Sequence, residues 1–246
     1  MCMQPVVFIT GASRGIGRAT ARKFAKEGWQ VAVHYHNAQA EAENLVAELQ
    51  EWGCNARCFR ADVRDGSQLR AAIHAAEEEL GPISALINNA GIAQQKLFTD
   101  VTEDEWDQMF DVSIKSCFHS CQAVLPGMIR RQSGSIVNLS SIWGISGASC
   151  EVHYSAAKAA VIGFTKALAQ EVGPSHIRVN CVAPGVVRTD MNRNLSEEDY
   201  ALLKEETPLE MIGEPEDIAE AIFFLASEQS RFTTGQVFSP NGGFVI

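Results

Sequence analysis

Short apolar runs alternate along the chain with longer stretches in which apolar residues recur every third or fourth position. Pro5–Ile9, Gln30–His34, Ala56–Arg60, Ala85–Asn88, Ser135–Leu139, Arg178–Val182 and Gln236–Ser239 have the length and composition of buried strands. Arg18–Glu27, Ala38–Trp52, Ser67–Leu80, Glu103–Arg131, His153–Glu171 and Glu214–Ser227 carry helical periodicity. Gly28 punctuates the end of the first helix, and Thr102 with Glu105 predicts a capping box at the start of the fourth. This alternation predicts an α/β fold, a doubly wound parallel sheet of about seven strands with helices on both faces. No internal repeat, low-complexity tract or linker interrupts it, so residues 1–246 are expected to form a single domain. Ligands in such sheets bind outside the carboxyl ends of the strands.

Composition narrows the partners. Hydrophobic residues make up 46% of the chain, ordinary for a globular domain. A formal net charge of −10 argues against nucleic acid and anionic membrane as partners. No apolar run reaches the roughly 18 residues of a membrane span, and no charged-then-apolar leader opens the chain. A cytoplasmic location is therefore expected. Seven cysteines, an odd number without a Cys-x-x-Cys pair, fit a reducing compartment. Cys117 and Cys121 share a helix face, where core thiols are expected rather than a metal site, since no histidine cluster completes one. Asn138-Leu139-Ser140 and Asn194-Leu195-Ser196 match a glycosylation sequon, which has no meaning without secretion.

Two local patterns carry chemistry. The first strand runs into Thr10-Gly11-Ala12-Ser13-Arg14-Gly15-Ile16-Gly17 and then into a helix. Glycines in this setting allow a tight turn and close approach of backbone to a pyrophosphate seated on the helix N-terminus. The spacing is Gly-x-x-x-Gly-x-Gly, not the commoner Gly-x-Gly-x-x-Gly, and by itself such a segment is either a phosphate cradle or simply a turn. The second pattern is Tyr154 with Lys158 four residues on and Ser141 thirteen residues upstream. Side chains four apart project from one helix face. The ammonium is then expected to lower the phenol's pKa and let it exchange a proton near neutral pH. In isolation a surface lysine packed over a tyrosine ring has the same spacing. The second strand ends Val33-His34-Tyr35-His36-Asn37, without the acid that binds the ribose 2′-hydroxyl of NAD. Its absence permits the 2′-phosphate of NADP, with Arg14 as compensating charge and His36 as a further hydrogen-bonding group. A solvated turn residue is the alternative for Arg14.

The glycine turn, Asn88-Asn89-Ala90-Gly91, Ser141, Tyr154-x-x-x-Lys158 and Pro184-Gly185 stand in the order and spacing of the short-chain dehydrogenase/reductase family. The chain resembles that family from Val6 to Asn241-Gly242-Gly243. Within it, Thr10–Gly17, Ile177-Arg178-Val179-Asn180, Ala183-Pro184-Gly185 and Thr189-Asp190-Met191 look most like the 3-oxoacyl-[acyl-carrier-protein] reductases. The stretch Trp143–Val152 resembles reductases acting on the 5-aminopentanone modification of bacterial elongation factor P. The resemblance implies a Rossmann-type domain, NADP(H) as cofactor, no metal, and reduction of a small or carrier-bound carbonyl. It implies that Tyr154 donates the proton, Lys158 holds the nicotinamide ribose and Ser141 orients the carbonyl. Ser140 lacks the family's spacing to the tyrosine. Cofactor contacts are implied for Gly11, Ser13, Arg14, Gly15, Ile16 and Gly17 in the turn, and for Asp62 and Val63 at the adenine. They are implied also for Asn89, Ala90 and Gly91 beside the riboses, for Tyr154, Pro184 and Gly185, and for Val187 and Thr189 at the nicotinamide amide.

Two departures stand out. Ser113, in Asp111-Val112-Ser113-Ile114-Lys115, holds the place of an asparagine that in the family anchors a proton-relay water. A slower or rerouted relay is expected. Carrier-protein reductases also use two basic surface residues, whose places here are Gln132 and Ser175; Arg130 and Arg131 either substitute or form a solvated helix end. The substrate pocket is expected to involve Gln94, Ile142–Glu151 and Met191–Met211, with a lid near residues 188–212 whose helix starts at Ser196. Glu151 either attracts an amine-bearing substrate or is an exposed loop acid. Other readings are reduction of a steroid or sugar ketone and, in a different class, an NADP-binding regulator with weak catalysis. Family resemblance implies a homotetramer, which the apolar surface of Glu103–Arg131 and His153–Glu171 suits.

Overall fold

The computed structural model describes residues 4–192 and 195–246. Strand β1 (Val6–Ile9) is buried at every position, as a strand covered on both faces must be, and leads through the glycine turn into helix α1 (Gly15–Lys26). The alternation continues with β2 (Gln30–Tyr35), α2 (Gln39–Glu51), β3 (Ala56–Arg60), α3 (Gly66–Leu80) and β4 (Ile83–Asn88). There follow α4 (Glu103–Phe110), α5 (Ser116–Arg131), β5 (Gly134–Leu139), α6 (Trp143–Ser146), α7 (Val152–Val172) and β6 (Ile177–Val182). The chain closes with α8 (Glu197–Glu206), α9 (Pro215–Ala226) and β7 (Val237–Phe238). The seven strands form one parallel sheet in the order β3-β2-β1-β4-β5-β6-β7. Strand order reverses between β1 and β4, and the crevice at that switch point is where such sheets bind ligands.

Each face of the sheet has its own apolar core. Val7, Ile9, Phe24, Leu45, Val137 and Ile222 belong to one, and Phe8, Ile73, Leu86, Met128, Ile136 and Val179 to the other. A buried polar ladder crosses the sheet below the crevice. Ser120 Oγ donates to Asn88 Oδ1 (2.6 Å), Asn88 Nδ2 to Asn138 Oδ1 (2.8 Å) and Asn138 Nδ2 to Thr165 Oγ1 (2.9 Å). Because these groups satisfy one another, the ladder locks α5, β4, β5 and α7 in relative height instead of weakening the core.

Predicted and observed elements agree in number and order for the strands, with two corrections. The single helix expected over Glu103–Arg131 is broken by a π-helical turn, Asp111–Lys115. The two halves serve different partners: Met109 packs with Tyr154 and Ala157, whereas Cys121, Val124 and Met128 pack on the sheet. An added residue per turn rotates one face relative to the other. The last strand shrinks from Gln236–Ser239 to Val237–Phe238 at the sheet edge, where it has one partner only. The box expected at Thr102 with Glu105 is present, and the helix start expected at Ser196 carries one too, with Asp199. The single turn of α6 is too short to show periodicity. Asn138 of one sequon is fully buried, and Asn194 of the other lies outside the described residues. No helix among the described residues is long and apolar enough to cross a membrane.

Candidate active site

The glycine turn is braced from β4. Asn89 Nδ2 donates to the carbonyls of Thr10 (2.9 Å) and Gly11 (3.0 Å), while the Asn89 and Ala90 amides donate to Thr10 Oγ1 (2.9 and 3.0 Å). Gly11 and Gly15 hold φ of +64° and +53°, which side chains disfavour. A Cβ at Gly17 would strike the Gly11 carbonyl oxygen and come within 2.6 Å of Asn89 Nδ2. Ser13 is buried within the turn, while Arg14 is exposed at the N-cap of α1, makes no capping bond and is followed by no acid in the first turn. Ile16, one residue into α1, is half-buried against the core. A helix opening without its own anionic cap leaves its amides and positive dipole end for an external anion. Together with a turn packed so closely that only glycine fits at position 17, this end of the site fits a dinucleotide pyrophosphate.

At the far end of the cleft, Val63 is buried and Asp62 is engaged by an arginine that sequence reasoning passed over. Arg64 donates to both Asp62 oxygens, with Nη2 at 2.6 Å from Oδ2, and holds the carboxyl below the usual range. His36 Nε2 is 3.8 Å from Asp62 Oδ2 and its ring is exposed enough to meet a ligand. No acid stands at the end of β2. His34 was also missed. Its imidazole is buried and bonded on both nitrogens, and a polar residue inside an otherwise apolar strand was the available signal.

The structure brings Ser141, Tyr154 and Lys158 together in a buried corner between the end of β5 and the start of α7. Lys158 Nζ donates to the Leu139 carbonyl (3.0 Å) and lies 5.7 Å from the centre of the Tyr154 ring. The lysine was expected to draw the phenol's pKa down. Burial instead pushes Tyr154 up to about 12, opposed by the Ser141 hydroxyl, and burial pushes Lys158 down. Loss of water outweighs the favourable neighbours, so the phenol is protonated at neutral pH. Ser140 proves structural: its hydroxyl donates to the Lys158 carbonyl (2.8 Å) and ties α7 to the sheet end. Gly91 lies beside the lysine, since a Cβ there would sit 3.4 Å from Nζ.

The residues expected toward the nicotinamide follow the end of β6. The Pro184 carbonyl accepts from the Ile142 amide (3.0 Å), and the Gly185 amide donates to the Pro240 carbonyl (3.1 Å). Any side chain at Gly185 would meet Asn241 Cα at 2.7 Å. Val187 is buried, and Thr189 stands across the cleft from Gly15. Ser113 sits buried in the π turn with its hydroxyl 3.9 Å from Met109 Sδ, and its carbonyl accepts from the Cys117 thiol (3.2 Å). Among the described residues no direct hydrogen bond joins Ser113 to Lys158.

Around the mouth, Gln94 is turned into the wall, bonded to His153 Nε2 (3.0 Å) and Glu105 (2.7 Å). Glu151 is buried beside Tyr154 with Gln95 Nε2 at 3.2 Å, and burial raises its pKa. In the segment expected to form a lid, Arg188 stacks over the Tyr200 ring at 4.3 Å and reaches Glu197 at 3.4 Å. Of the two arginines considered for carrier binding, Arg131 is committed to the Ile83 carbonyl (2.6 Å), which leaves Arg130.

Residues 11–245 match the family described as enoyl-(acyl carrier protein) reductase. The chain is 40% identical over 244 residues to the 3-oxoacyl-[acyl-carrier-protein] reductase FabG of Staphylococcus epidermidis, covering 99% of this chain and 100% of that protein. It is 40% identical over 246 residues to the protein of the same name from Staphylococcus aureus, covering 100% of both. It is 39% identical over 241 residues to that of Thermotoga maritima, covering 98% of both.

Proposed function

Because the chain belongs to the short-chain dehydrogenase/reductase family and is an oxidoreductase acting on carbonyl and hydroxyl groups, we propose that it is an NADPH-dependent reductase of 3-oxoacyl chains. The observation that carries this reading is the buried Ser141, Tyr154 and Lys158 corner on the same sheet edge as an uncapped glycine turn. The absence of an acid at the end of β2, with Arg14 and His36 exposed at that end, supports NADPH over NADH.

The turn from Gly11 to Gly17 would hold the pyrophosphate, Asp62 and Val63 the adenine end, and Pro184 to Thr189 the nicotinamide end. When bound, the dinucleotide supplies a hydride to the carbonyl carbon. Ser141 Oγ donates a hydrogen bond to the carbonyl oxygen and orients it. Tyr154 Oη, kept protonated by burial, releases its proton to that oxygen as negative charge grows there. Lys158 Nζ, anchored on the Leu139 carbonyl, stabilises the phenolate left behind. Ser113 would pass a replacement proton through water less directly than an asparagine. We read the molecule as one domain, a homotetramer of the cytoplasm, with residues 188–212 as lid over a small or carrier-bound substrate. Phe118 and Ile129, exposed on α5, support the symmetric contact.

A second reading has its own observation. Glu151 is a buried carboxylate beside Tyr154 with only a neutral hydrogen bond, so an ammonium on the substrate would complete its partners. That suits the 5-aminopentanone group on elongation factor P. NADPH and NADH oxidation with a short 3-oxoacyl thioester and with an aminoketone separates the two readings. Thioester turnover supports the first, and turnover of the aminoketone alone the second. Tight NADPH binding with no turnover favours a regulator.

A further inference from the structure

We infer that His34 is a positioning residue that sets the geometry of the cofactor cleft, by fastening the turn at its pyrophosphate end to the strand end at its adenine side. This rests on the dinucleotide reading above. The Gly11 amide donates to His34 Nδ1 (3.1 Å), and the next amide, Ala12, donates to the His34 carbonyl (2.9 Å). On the other side of the ring, Nε2 lies 3.2 Å from the Ala61 carbonyl. Since Nδ1 accepts, the proton is on Nε2, and the ring is held neutral in a single tautomer. The side chain is 1% exposed, and Phe8 packs on it at 5.9 Å between centroids.

The placement gives this contact its consequence. The Gly11 amide lies beyond Ile9, where β1 and its ladder end, so it needs an acceptor from elsewhere. Ala61 directly precedes Asp62 and Val63, and its own amide is fixed by the Tyr35 carbonyl (3.0 Å). A single imidazole therefore spans the carboxyl ends of β1, β2 and β3. Asparagine at this position can reproduce the acceptor at Nδ1 but cannot reach Ala61. Glutamine can reach Ala61 but cannot place an acceptor at the Nδ1 position. An apolar residue of equal size does neither and leaves the Gly11 amide buried and unpaired.

The test is direct titration of NADPH, followed by its fluorescence, into the full-length protein and into His34→Asn, His34→Gln and His34→Ala, with the unfolding midpoint of each measured alongside. The Gln and Ala variants are expected to bind NADPH about tenfold more weakly or worse, the range set by losing one buried acceptor. The Asn variant should recover most of that affinity. In each, the loss of affinity should exceed any fall in kcat at saturating NADPH. If Ala does not fold, the contrast between Asn and Gln decides. Equal affinities, or losses that track the unfolding midpoint and ignore the Asn rescue, would overturn the role of His34. A wild-type protein that binds neither NADPH nor NADH would instead overturn the dinucleotide reading, and this inference with it.

Discussion

Acid should destabilise this protein through His34 in particular. Burial pushes this histidine down to about 4 and outweighs the Ala61 carbonyl, which favours a proton on Nε2; Nδ1 faces an amide hydrogen, and His36 adds repulsion that Asp62 only partly offsets. In the unfolded chain the same residue titrates near 6.5. The unfolded state therefore takes up a proton first as pH falls. The stability that His34 contributes is complete above about pH 6.5 and is lost progressively toward pH 4. With these two values, linkage gives a loss of about 2 kcal/mol between pH 7 and pH 5 from this side chain. His34→Asn keeps an acceptor for the Gly11 amide and does not titrate. Urea unfolding of both proteins at the two pH values, at one protein concentration, isolates the effect. His119 and His153 are also lowered by burial but are common to both proteins and cancel in the difference. Wild type should lose about 2 kcal/mol more than the variant. Equal losses would refute the reasoning, since they would mean that His34 is as easily protonated folded as unfolded.

Other perturbations have equally definite outcomes. Gly17→Ala forces a methyl against the Gly11 carbonyl and Asn89, so NADPH affinity should collapse and thermal unfolding should show a cost of about 1–3 kcal/mol. Arg14→Ala should raise the KM for NADPH roughly tenfold and leave that for NADH nearly unchanged, as steady-state kinetics with both cofactors would reveal. Ser113→Asn should speed turnover if the π turn admits the longer side chain into a better relay; unchanged or slower turnover would count against the relay assigned to this position.

Legibility in the sequence followed the range of the forces involved. β1, the glycine turn and α1 were readable because strand burial, positive φ and helix start are all local. The juxtaposition of Tyr154 with Lys158 was readable for the same reason, through helix periodicity. The tyrosine's pKa was not, because burial by Met109 and the loops around it is a tertiary property that outweighs the neighbouring charge. The π turn was hidden too, since it answers to two packing partners on either side of Asp111–Lys115 and not to a pattern within that segment. Arg64 escaped notice although it is only two residues from Asp62, because a loop pair has no periodicity. His34 could have been noticed as a polar residue within Val31–Tyr35, but its two partners come from other strand ends.

The central claim is that Tyr154 is the proton donor of an NADPH-dependent carbonyl reductase. Its most direct test is the rate of NADPH oxidation with a short 3-oxoacyl thioester by wild type and Tyr154→Phe, with NADPH affinity measured on both. The account predicts a fall in kcat of about a hundredfold or more for the variant, with NADPH still bound. A Phe variant that turns over at the wild-type rate would contradict it.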